Sequence, residues 1–201
     1  MASAASVSGP VSEATQIVSP VRLAHVVLRT SRFHEVIAWY KLMLNATVVF
    51  ESEGIAFLAY DDEHHRIAVI NVPNLAEQPV GAAGVHHFAF TYDSLPTLLR
   101  NYERFKAHGI EPVWCTNHGP TTSLYYGDPD GNQIELQVDN YDTVEEAGEF
   151  FFTEQFTKNP IGVDFDPAEL MARLTAGEDE RTLKLRPEGG PRGVDDIKLP
   201  R

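Results

Sequence analysis

Leu23-Ala24-His25-Val26-Val27-Leu28 and Val85-His86-His87-Phe88-Ala89-Phe90 are two apolar, strand-like runs that overlay residue for residue, with His25 and His87 at the same place. The period between them is about 60 residues, and the same order of signals follows each run, so the chain reads as an internal repeat. After the first run, Ser31 to Leu44 carries Phe33, Val36, Ile37, Tyr40 and Leu44 at helical spacing. Strand candidates follow at Thr47 to Glu51, Ile55 to Tyr60 and His65 to Val72. After the second run come a helix from Ser94 to Ala107 closed by Gly109, then strands at Ile110 to Thr116, Thr122 to Tyr126 and Gln133 to Val138. The expectation is α+β: two βαβββ modules, at about 21–82 and 83–140, forming a curved mixed sheet around a metal site.

A second overlay sets the chemistry. Arg66-Ile67-Ala68-Val69-Ile70 matches Gln133-Ile134-Glu135-Leu136-Gln137, pairing Ala68 with Glu135. If a pseudo-twofold axis relates the modules, His25, His87, Ala68 and Glu135 converge from four strands on one point. Three of these can bind a metal and Ala68 cannot, which leaves its quadrant open. Two neutral imidazoles and one carboxylate on one side of an ion are the facial set associated with non-haem Fe(II). Glu135 is the most telling member, since a carboxylate between Ile134 and Leu136 is costly to bury without a compensating cation or hydrogen bonds. Its ordinary alternative is an outward-facing strand glutamate. His86 and His87 are adjacent and face opposite sides of a strand, so at most one reaches the centre, and the repeat selects His87. His64-His65 follows the acidic turn Asp61-Asp62-Glu63 and reads as structural or peripheral.

Composition narrows the classes. The chain has 201 residues and a formal charge of -13, with no dense Lys/Arg block to offset it locally, which argues against nucleic acid and anionic lipid as partners. Cys115 is the only cysteine, so no intrachain disulfide forms. It lies beside Trp114 on an apolar strand and reads as a packed small hydrophobe. No apolar run approaches the roughly 20 residues of a membrane span, and the N-terminus lacks the pattern of a secretory signal. A cytoplasmic protein is expected. Residues 1–20 read as a flexible arm, and residues 141–201 as a C-terminal extension with a helix at Pro167 to Ala176 and an extended tail from 178 onward.

The strand-borne His25, the Val85-His86-His87-Phe88-Ala89-Phe90 strand and the segment from Ser123 through Asp128-Pro129-Asp130-Gly131-Asn132 to Glu135-Leu136 resemble the vicinal oxygen chelate superfamily over roughly residues 21 to 140. That superfamily includes glyoxalase I, bleomycin-resistance proteins, methylmalonyl-CoA epimerase and the type I extradiol dioxygenases. Tyr125, ten residues before Glu135, and Asn117-His118-Gly119 upstream of it are similar to the small single-domain members of the extradiol branch. Alternation alone does not choose between Tyr125 and Tyr126; the resemblance chooses Tyr125. It implies Fe(II), or Mn(II) in its place, held by His25, His87 and Glu135, with His118 and Tyr125 as catalytic groups acting on a catechol-type diol and O2. The C-terminal run from Phe156 to Gly177 also looks like the extension of that group.

Two other classes share the scaffold. A glyoxalase- or epimerase-like isomerase or lyase usually needs a second carboxylate where Ala68 stands, and a metal-free binding protein lacks the ligand set altogether. A homo-oligomer is expected only from the general prevalence of symmetric assemblies.

Overall fold

In both modules the period of the apolar residues switches from alternate positions to helical spacing and back, and the chain follows it. The computed structural model describes residues 18–79 and 81–198. The first module consists of β1 (Val26–Thr30), α1 (Phe33–Leu44), β2 (Thr47–Glu51), β3 (Ile55–Ala59) and β4 (Ile67–Asn71). The second repeats it as β5 (His87–Tyr92), α2 (Leu95–Ala107), β6 (Trp114–Asn117), β7 (Thr121–Gly127) and β8 (Gln133–Asp139). Helix α1 buries Phe33, Val36, Ile37, Tyr40 and Met43 and stops where Asn45 takes a left-handed conformation. Helix α2 starts at Ser94, whose hydroxyl accepts from the Thr97 amide, with Pro96 in the first turn where its missing N–H costs nothing.

The strand pairings reproduce the sequence repeat position by position. β1 runs parallel to β4 with Val27 opposite Ala68, and β5 runs parallel to β8 with Ala89 opposite Glu135. On the other side of β4 and β8, antiparallel neighbours set Phe57 opposite Ala68 and Tyr125 opposite Glu135. Among the described residues the hydrogen-bonded ladder forms two sheets, β1-β4-β3-β2 and β5-β8-β7-β6-β9, where one continuous curved sheet was expected. The reason is that β1 and β5 each pair on one edge only, so side chains join the modules instead. One apolar cluster runs through both halves, including Leu28, Val69, Leu124 and Leu136. Polar contacts fix the angle between them. The Tyr40 hydroxyl donates to Asp128 at 3.2 Å and Arg32 donates to the Pro129 carbonyl at 2.6 Å, so α1 grips the β7–β8 turn.

The C-terminal extension is more ordered than its sequence suggests. It contributes α3 (Val144–Phe150), α4 (Glu154–Lys158), β9 (Val163–Asp164), α5 (Pro167–Thr175) and α6 (Glu180–Lys184). β9 adds to β6 as an outer strand. The expected extended tail from residue 178 is corrected here: α6 drives Leu183 into the main apolar cluster. Its Glu180 carboxylate accepts from the Leu95 amide at 2.9 Å, satisfying a donor that the start of α2 leaves free. Of the arm expected over residues 1–20, residues 1–17 lie outside the described residues; 18–20 are exposed and without regular structure. No described helix is long and apolar enough to cross a membrane.

Candidate metal centre

Because β5, β8 and β7 lie side by side in register, His87, Glu135 and Tyr125 share one face of the second sheet. His87 Nε2 stands 2.9 Å from Glu135 Oε2, and Glu135 is only 5% exposed. Burial by itself would raise the Glu135 carboxyl, but hydrogen bonds from His87 and Ser123 and the neighbouring His87 and His118 outweigh it and hold the group below its usual range. The carboxylate is therefore ionised at neutral pH. On the far side of the ring, His86 Nδ1 lies 2.7 Å from His87 Nδ1, which leaves Nε2 as the nitrogen turned toward Glu135.

Behind this pair stands a second polar layer. The Tyr125 hydroxyl lies 2.8 Å from His118 Nε2, and the other ring nitrogen of His118 contacts the Ile161 carbonyl. Burial raises the Tyr125 phenol far above its ordinary value, and the Glu135 charge adds to the effect. Burial also lowers His118, so the imidazole is neutral at pH 7. The Trp114 ring stacks on Tyr125 at 4.8 Å between centroids and donates from Nε1 to Asp164 Oδ1 at 2.8 Å. Gly119, at φ +105°, is needed beside His118 because a Cβ there would sit 2.2 Å from the Phe150 ring.

Of the three expected ligands, the structure brings His87 and Glu135 together. His25 lies just before β1, exposed, with its ring 4.5 Å from that of His65, which packs in turn on Phe57 at 4.7 Å. His25 and His87 line the same cleft, of about 460 Å³, together with Tyr60, Phe88 and Phe90. Among the described residues no three His, Cys, Asp or Glu side chains are grouped closely enough to hold a metal ion. The donors that do meet nevertheless suit one: an imidazole nitrogen facing an ionised, buried carboxylate oxygen is a set that divalent transition metals favour.

The expected catalytic pair, His118 and Tyr125, is in hydrogen-bond contact. Tyr126 points the other way, into the core against Phe105. Cys115 behaves as a packed apolar residue, its thiol pushed up to about 12 by burial. Of the Phe150-Phe151-Phe152 run, only Phe150 is buried. Three participants escaped the sequence reading: Trp114 as the platform for Tyr125, Asp164 as the anchor of Trp114, and the Ile161 carbonyl. The aromatic pair at opposing register positions on β6 and β7 was the available signal for the first; a main-chain carbonyl leaves none.

Comparison with known proteins bears on the family and the fold. Residues 22–136 match the model of the Glyoxalase/Bleomycin resistance protein/Dioxygenase superfamily. The chain is 48% identical over 157 residues to biphenyl-2,3-diol 1,2-dioxygenase 2 of Rhodococcus globerulus, covering 78% of this chain and 83% of the relative. It is 42% identical over 167 residues to biphenyl-2,3-diol 1,2-dioxygenase 3 of the same organism, covering 82% and 88%. The structure of a glyoxylase/bleomycin resistance protein/dioxygenase domain from Frankia sp. EAN1pec shares the fold, with a TM-score of 0.54 at 16% identity over 62% of this chain and 96% of that one.

Proposed function

This chain belongs to the Glyoxalase/Bleomycin resistance protein/Dioxygenase superfamily, and from that premise we propose that it is an extradiol ring-cleaving dioxygenase acting on a catechol-type diol with O2. Relatives at 42% and 48% identity carry names of this enzyme type. The observation that carries the reading is the half-exposed His87 imidazole at 2.9 Å from the buried Glu135 carboxylate, with the His118–Tyr125 pair at 2.8 Å behind it. In this reading His25, His87 and Glu135 hold Fe(II), or Mn(II) in its place. When bound, the metal acidifies the diol hydroxyls and gives electrons a route from the diol to O2.

The protein groups then have separate tasks. Glu135 keeps its negative charge at neutral pH and so enters the reaction as a ligand, not as an acid. Neutral His118 and protonated Tyr125 form a two-member proton store, a role that contributes about 10²- to 10⁴-fold in general acid–base catalysis. Trp114, stacked on Tyr125, keeps water from the phenol. The cleft that His25 and His87 line also contains Tyr60, an aromatic side chain of the kind that an aromatic ring packs against. Both atoms of O2 end in the product, a ring-opened acid carrying a second carbonyl, and no external reductant is required.

The isomerase alternative needs a second carboxylate in the first module, and Ala68 is buried at that register position with Phe57 opposite it. The test is anaerobic Fe(II) loading, removal of free metal, and a catechol panel followed with an oxygen electrode. Stoichiometric iron with diol-dependent O2 uptake is expected. Bound iron with no O2 uptake on any diol would end the proposal.

A further inference from the structure

We propose that the C-terminal extension fixes the tautomer of His118, with Asn159 and Arg186 as the positioning residues. The Ile161 carbonyl contacts His118 Nδ1, and a carbonyl only accepts, so Nδ1 carries the ring proton. A neutral imidazole has one N–H, and Nε2 is therefore left as a bare acceptor facing the Tyr125 hydroxyl at 2.8 Å. This reverses the preference of free imidazole side chains in water, where the proton resides mainly on Nε2. The strand that carries Tyr125 does not supply the contact. It comes from a turn some forty residues further along the chain.

That turn is built around one side chain. Asn159 is 2% exposed and has every amide-group atom engaged: Oδ1 accepts from the Ile161 and Gly162 amides at 3.1 and 2.8 Å, and Nδ2 donates to the Gly162 and Gly190 carbonyls, both at 3.0 Å. Gly162 then backs directly onto β6. At φ +132°, a Cβ there would lie 2.7 Å from the Asn117 carbonyl oxygen and 2.6 Å from Thr116 Oγ1. Arg186 joins the turn to the histidine loop, donating from Nη2 to the Asn159 carbonyl at 2.7 Å and from Nη1 to the His118 carbonyl at 3.2 Å. The guanidinium thus holds together the two main-chain segments whose separation decides whether Ile161 reaches His118.

The consequence concerns the single proton of Tyr125. Two acceptors stand beside it, the Glu135 carboxylate and His118 Nε2. With Nε2 bare, the phenol proton has a destination that leaves the Glu135 oxygens free for a metal. The placement of the proton on His118 is independent of the reaction; only this catalytic consequence rests on the ring-cleavage reading.

The experiment is long-range 1H–15N correlation of the full-length, 15N-histidine-labelled protein prepared without added metal, with His118→Gln used to assign the ring. Native His118 is expected to show a pyrrole-type Nδ1 and a pyridine-type Nε2. In Asn159→Ala and in Arg186→Gln the signal should move toward the Nε2–H form, while kcat of the Fe(II)-loaded enzymes falls about 10- to 100-fold with KM little changed. A native ring protonated on Nε2 overturns the proposal without any variant. So does a folded Asn159→Ala that keeps both native tautomer and native kcat; if that variant does not fold, Arg186→Gln decides by the same two readouts. A native protein that consumes no O2 with any diol refutes the ring-cleavage reading instead, and leaves the NMR result to judge the tautomer.

Discussion

The two modules place corresponding residues at corresponding register positions, yet only the second carries the carboxylate and the phenol. Val27, Phe57 and Ala68 of the first occupy the places of Ala89, Tyr125 and Glu135 in the second. The carboxylate has become a methyl group and the phenol has lost its hydroxyl. Covering differs as well. Ile161 and Ile197 of the extension pack on Trp114 and Tyr125 in the second module, leaving Tyr125 2% exposed, whereas its counterpart Phe57 in the first is only half-buried. In the described residues, the sheet that carries a buried charge is the one that receives an extra layer of chain. The scaffold alone does not separate the halves: two side-chain identities and a C-terminal cover do.

The largest test of that contrast is Glu135→Ala, which makes the second module resemble the first. Iron content measured after Fe(II) loading and desalting should drop to background, with no O2 uptake on diols; native iron content would show that the carboxylate is not what separates the halves. Next come His118→Phe and Tyr125→Phe, which should keep iron while slowing turnover about 10²- to 10⁴-fold by the usual worth of a proton-transfer group. Undiminished cleavage in both would reduce the second polar layer to packing.

The cover itself is tested by Leu183→Ala. Leu183 is buried in the main apolar cluster from within α6, so its truncation should cost about 2–5 kcal/mol in denaturant unfolding. A negligible loss would mean that α6 lies on the protein without stabilising it. The smallest effect concerns Asp164, which joins the cover to Trp114 and Arg192. Burial opposes ionisation of its carboxyl, but hydrogen bonds from Arg192 and Trp114 prevail and lower it. A depressed carboxyl contributes stability above its unfolded pKa, about 3.9 for aspartate, and loses that contribution as pH falls through the folded value. The stability difference between the native protein and Asp164→Asn should therefore be present at pH 6 and shrink below about pH 4; a gap that widens in acid would contradict the ion pair.

Much of this could be read from residues alone, for identifiable reasons. β2 and β8 begin where expected, and α1 and α2 differ by only a residue or two at their starts, because each has an uninterrupted period and a turn or cap at its end. The His87–Glu135 and His118–Tyr125 contacts follow from strand register combined with the family resemblance. The extension was less legible. Helices α3, α4 and α6 are too short to show amphipathic periodicity, so their only signals were the caps Thr143, Thr153 and Asp179. Arg186 looks like a solvated tail charge until the carbonyls of His118 and Asn159 are brought to it. His25 illustrates the opposite limit: it lies one residue before β1 and not on the strand, and the repeat says nothing of the rotamer that stacks it on His65.

The grip of α1 on the β7–β8 turn constrains how such a protein can be recombined. Asp128 is largely shut off from water, and burial raises its carboxyl despite hydrogen bonds within its own turn. The Tyr40 hydroxyl, delivered by the other half of the chain, is one of the donors it accepts from. A chimera that grafts a foreign first half lacking a donor at position 40 would remove one of the two donors to Asp128 Oδ2, leaving Asn132 Nδ2 at 2.8 Å as the other, at about 0.5–1.5 kcal/mol for one lost hydrogen bond. Shuffled halves that keep Tyr40 with Asp128 retain this bond across the seam, and those that separate the two lose it.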